Sequence, residues 1–150
     1  SLALASCTQV NTEANPEQEQ NKQVKDLLTR MSVEEKVGQM TQINLSVVTK
    51  GGYTSKTGEI DTSRLEEAIL TYHVGSILNV VPSAYSAEQW HGLLNLIQTI
   101  ALRSPTKIPV LYGIDAIHGA TYTQNSTLFP HNIAKSASRN PELVAHCAAI

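Results

Sequence analysis

The stretch IPVLYGIDAIHGATY, residues 108–122, runs from one of the most apolar segments of the chain straight into a carboxylate, Asp115. The apolar half predicts a buried strand, so an acid at its tip needs a reason. Two readings stand side by side. Asp115 is a binding or catalytic group at the mouth of a barrel or sheet, or it caps a helix or turn that follows the strand. Gly113 and Gly119 flank it and would let the backbone turn tightly or approach a ligand closely.

Working outward, the pattern alternates. Val24, Leu27, Leu28 and Met31 recur at helical spacing, and Ser32 with Glu35 forms a capping-box signal for a second helix. GQMTQINL (38–45) alternates as a strand does, and KGGYTSKTGE (50–59) is a Gly- and Thr-rich loop. Ser63 with Glu66 predicts another capped helix, with Leu65, Ala68, Ile69 and Tyr72 as its apolar stripe. VGSILNVV (74–81), bounded by Pro82, predicts a buried parallel strand. Ser86 with Gln89 opens a helix lined by Trp90, Leu93, Leu94 and Ile97, which Pro105 stops. TLFPHNIAKSA (127–137) reads as a further strand, and Asn140-Pro141 caps a last helix carrying Leu143, Val144 and a buried Cys147.

Strand and helix alternating in this order predict parallel α/β architecture. No GxGxxG fingerprint and no P-loop follows any strand, so a nucleotide-binding fold loses its main support. A (β/α)8 barrel remains, and a complete one needs about 250 residues. The expected fold class is therefore α/β, the N-terminal portion of a TIM-like barrel that is incomplete in these 150 residues. The close on NPELVAHCAAI, without a stop signal, agrees with a longer protein. In such a barrel, substrate groups sit at the carboxyl ends of strands, the position of Asp115.

Composition narrows the partners. Charged residues make up 16% and the net charge is −2, so no basic face points to nucleic acid. At the start, SLALASC is similar to the end of a bacterial lipoprotein signal: Leu4, Ala5 and Ser6, then Cys7 as the acylated residue. The expected organisation is a signal remnant over 1–6, a lipidated flexible tether over 7–23, and a barrel segment over 24–150. Membrane association would come through the lipid alone. Thr8, offering no Asp-type retention signal after Cys7, favours a periplasmic or outer-membrane address.

Residues 108–144 resemble the N-terminal barrel domain of family 3 glycoside hydrolases, and RMSVEEKVGQMTQ (30–42) resembles that family's opening. VGSILNV and AEQWHGLLNLIQ extend the similarity over about residues 24–150. The resemblance implies that Asp115, the acid of a DAxHG-like motif, binds hydroxyls of the non-reducing-end sugar, typically O4 and O6. Asp rather than Glu here points to the glucosidase branch over a β-xylosidase-type member. The implied activity is that of an exo-acting β-glucosidase cleaving terminal β-D-glucosyl residues of oligosaccharides by a retaining mechanism. The family's nucleophile and acid/base lie downstream, so no catalytic residue is expected in this segment. A non-catalytic glycan-binding lipoprotein on the same barrel is the alternative; a downstream nucleophile would separate the two.

No cofactor and no metal are expected: His118 and His131, thirteen positions apart without a third ligand, make a weak metal case. They read instead as braces for the Asp115 loop and the FPHN turn. Trp90 belongs to a helix stripe and reads as core.

Overall fold

The computed structural model describes residues 16–79 and 84–149, with residues up to Met31 forming one unit and those from Ser32 a second. In the first unit, Pro16 opens α1 (Pro16–Arg30), with Glu17 and Glu19 in its first turn and Arg30 in its last, the order the helix dipole favours. The stretch expected to be a tether is thus helical from Pro16 onward. Its Glu, Gln, Asn and Lys residues are tolerated by a helix, and no Gly or β-branched residue breaks them before Val24. Lack of an apolar period argues against burial, not against an exposed helix. Cys7 and the rest of the expected tether lie outside the described residues.

In the second unit, the Ser32 hydroxyl accepts from the Glu35 amide at 3.1 Å and the Glu35 carboxylate accepts from the Ser32 amide at 2.8 Å. This capping box starts α2 (Val33–Gln39). Then follow β1 (Gln42–Asn44), two short 3-10 turns, α3 (Thr62–Glu66) and β2 (Ser76–Leu78). A second capping box, Ser86 with Gln89, opens α4 (Ala87–Ala101), which leads to β3 (Leu111–Gly113), α5 (Asn132–Ala137) and α6 (Pro141–Ala149). The Asn140 side chain accepts from the Leu143 amide at 2.9 Å, the cap expected of Asn140-Pro141.

Four further details depart from the sequence reading. Asp61, not Ser63, caps α3, accepting from the Arg64 amide at 3.2 Å; an aspartate two positions earlier takes the role. The helix then widens into a π turn over Glu67–Thr71, with the Tyr72 amide reaching back five residues to Glu67. That extra residue carries Tyr72 off the apolar stripe, and it is 62% exposed while Leu65, Ala68 and Ile69 are buried. Residues 127–137 form no strand: extended chain gives way to α5 after His131. Pro130 removes a ladder donor, which disfavours a central strand there. On α6 no described residue is buried, and Cys147 is a half-exposed free thiol.

The strands form a parallel three-stranded sheet in sequence order β1-β2-β3. Register places Ile43, Ile77 and Tyr112 in one row, and this row packs into the main hydrophobic cluster with Leu65, Ile69, Leu93 and Ile97. The other face carries Gln42, Ser76 and Leu111 in one row and Asn44, Leu78 and Gly113 in the next. Leu111 is 75% exposed, so the sheet is covered on the helix side and open on this one. Gly75 brings β2 against α2: a Cβ there would stand 2.2 Å from the Gln39 carbonyl oxygen. The fold is α/β with a small parallel sheet.

Ile77 is fully buried at the centre of the sheet. Ile77→Ala is expected to cost about 2–5 kcal/mol, the range for truncating a core aliphatic side chain. Chemical denaturation of the full-length protein checks this. A loss under about 1 kcal/mol would mean that the row is not the core of the sheet.

Candidate functional site

Parallel strands in register end together, and each delivers a polar residue to the carboxyl edge. Asn44 ends β1, Asn79 follows β2, and Asp115 stands two residues beyond β3. Asn44 is used locally, accepting from the Ser46 amide at 3.0 Å and its hydroxyl at 2.8 Å to cap a 3-10 turn. Asn79 and Asp115 are used on each other.

Asn79 adopts φ 65°, the left-handed region that Asn tolerates better than most residues. Its amide donates to the Gly113 carbonyl at 2.9 Å, extending the β2–β3 ladder by one bond. Its backbone carbonyl accepts from the Tyr112 hydroxyl. In the side chain, Oδ1 accepts from the Asp115 amide at 3.2 Å and Nδ2 donates to Asp115 Oδ2 at 2.9 Å. The partners fix the amide's orientation, since the reverse would set oxygen against carboxylate and NH2 against N–H. Asp115 is exposed, and among the described residues its Oδ1 accepts no hydrogen bond. An oriented carboxylate with one oxygen tied and one open can accept hydroxyl donors from solution.

Beneath the pair lies an aromatic column. The Trp90 ring meets Tyr85 edge-on at 5.3 Å and Tyr112 at 5.7 Å, so Trp90 is core, as its place on the helix predicts. Burial, with a smaller contribution from Tyr85, raises the Tyr112 phenol far above its ordinary range, so it stays a neutral donor to Asn79.

The loop after Asp115 is tied back on itself. Gly119 takes φ 112°, and a Cβ there would lie 2.3 Å from the Thr127 carbonyl oxygen. The Phe129 amide donates to the His118 carbonyl at 2.8 Å, and His118 Nδ1 lies 2.9 Å from the Phe129 carbonyl. A carbonyl only accepts, so Nδ1 carries the proton. The His118 and His131 rings stand 4.0 Å apart, tilted by 44°. His118 therefore braces the loop as expected, and among the described residues no three metal-ligating side chains converge. An apolar groove of about 850 Å³ lined by Val33, Val37, Val47, Ala68 and Tyr72 lies elsewhere; none of its lining residues belongs to β3 or the Asp115 loop.

The profile of the glycosyl hydrolase family 3 N-terminal domain matches residues 32–150. The chain belongs to this family. It is 38% identical over 136 residues to the lysosomal beta glucosidase of Dictyostelium discoideum, covering 85% of this chain and 16% of the relative. It is 27% identical over 137 residues to beta-glucosidase C of Emericella nidulans, covering 87% of this chain and 21% of that one. The chain thus spans roughly a sixth to a fifth of these curated relatives.

Within this family 3 domain, the residue missed by sequence reasoning is Asn79. One signal could have found it: an Asn directly after a strand is a natural left-handed stop, and its side chain is then free to reach the neighbouring strand end. Gly119→Ala is expected to destabilise the protein by roughly 1–3 kcal/mol, through left-handed strain and backbone collision. Thermal unfolding of the full-length protein measures it, and an unchanged Tm would show that the turn has another conformation open to it.

Proposed function

We propose that this chain supplies the first strands and helices of a (β/α)8 barrel in an exo-acting β-glucosidase, and that Asp115 grips the glycone. The observation that carries the reading is the Asp115 carboxylate, exposed at the carboxyl edge of a parallel sheet with Oδ2 tethered and Oδ1 open among the described residues. Family membership and two beta-glucosidase relatives support the reaction class. The substrate is an oligosaccharide or other β-glucoside.

Retaining hydrolysis needs two carboxyl groups about 5–5.5 Å apart. One attacks the anomeric carbon while the other protonates the leaving oxygen; water then releases the sugar with the second group acting as base. Both are assigned to residues outside this segment. Asp115 instead orients the sugar, and its hydrogen bonds strengthen as the ring distorts toward the oxocarbenium-like transition state. Asp115→Asn in the full-length enzyme is expected to lower kcat/KM on an aryl β-glucoside by roughly 10- to 150-fold for each hydrogen bond lost, taking about 1.5–3 kcal/mol for a bond to a charged group. Parental kcat/KM in the variant would reject the clamp.

The Leu4–Cys7 pattern supports lipid attachment at Cys7 and a periplasm-facing membrane address. In the full-length protein expressed in a bacterium, Cys7→Ala is expected to move it from the membrane fraction to the soluble one. Retention at parental levels would dismiss the anchor.

A further inference from the structure

We infer that Asn79 is the positioning residue of the glycone clamp: it acts on substrate through Asp115, fixing both the backbone from which that carboxylate projects and the direction of its open oxygen. The inference rests on the clamp reading above and adds a residue to it. Its ground is the completeness of one connection. The backbone amide, backbone carbonyl, side-chain oxygen and side-chain NH2 of Asn79 are all bonded, and every partner lies between Tyr112 and Asp115.

Four bonds to three residues of one short segment, Tyr112, Gly113 and Asp115, do more than join two strands. The backbone pair would serve that purpose alone. The side-chain pair adds something different: Oδ1 fixes the Asp115 main chain while Nδ2 fixes its carboxylate. An exposed Asp has two side-chain torsions to lose on meeting a ligand. Holding both before the sugar arrives removes that cost from binding and keeps Oδ1 aimed outward. The left-handed φ of 65° turns the residue at the end of β2, where it faces Asp115 across the ladder. Among the described residues, Asp115 and the half-buried Tyr112 phenol are the titratable groups bonded to it.

The test compares Asn79→Gly, Asp115→Asn and the double variant in the full-length enzyme on an aryl β-glucoside. Glycine adopts the left-handed region freely and retains both backbone bonds, so only the side-chain link is removed. Asn79→Gly is expected to lower kcat/KM by roughly tenfold to a hundredfold with a Tm near the parent's. In an Asp115→Asn background it is expected to have no further effect, because its action runs through the group already changed. A second variant, Asn79→Asp, covers the case in which glycine destabilises the protein. There one shared proton between neighbouring carboxylates replaces the amide donor. Its kcat/KM relative to the parent is therefore expected to fall as pH rises and both groups ionise.

Parental kcat/KM in Asn79→Gly, losses that multiply in the double variant, or an Asn79→Asp profile parallel to the parent's would overturn the positioning role. Parental activity in Asp115→Asn alone would instead remove the clamp reading. The two failures are thus distinguishable.

Discussion

The reciprocal pair between the Asn79 amide and Asp115 is the constraint on which the site depends. It exists only because β2 and β3 are parallel neighbours in register, so that residues just past their ends meet side by side. A one-residue slip of either strand would turn its core side chain, Ile77 or Tyr112, to the opposite face and would separate Asn79 from Asp115. Packing of the Ile77 row and placement of the carboxylate are therefore one requirement. The Tyr112 phenol makes the link concrete: its ring packs against the core, and its hydroxyl holds the Asn79 carbonyl.

The loop beyond Asp115 is braced without using the carboxylate. His118 and Phe129 close it with two bonds, and Gly119 permits an approach to Thr127 that a side chain would block. Among the described residues, Asp115 is left with one side-chain anchor and one open oxygen. A cap would spend its carboxylate on main-chain amides at a helix start, as Asp61 does for α3. Asp115 makes no such bond among the described residues. This difference is what supports the proposed ligand role of Asp115 over that of a structural cap.

Much of the fold was legible because local chemistry and tertiary packing agree. Ser32 with Glu35 and Ser86 with Gln89 announced two helices, and apolar runs around Ile77 and Val110 announced two strands. Where they failed, a longer-range or subtler effect decided. The π turn that rotates Tyr72 outward has no periodic signature, and polar residues 16–23 can form a helix without an apolar stripe to reveal it. Asp115 was legible as an acid at a strand tip. Asn79 was not, because its role depends on a partner 36 positions away, which spacing along one chain does not disclose.

In the proposed clamp, the open oxygen of Asp115 holds the sugar while Asn79 holds the other. The most direct measurement is a crystal structure of the full-length protein with glucose bound. An Asp115 carboxylate oxygen is expected within about 3.2 Å of a pyranose hydroxyl, with the Asn79 bond still in place. A bound sugar contacted by neither oxygen, with the carboxylate turned onto main-chain amides, would contradict it.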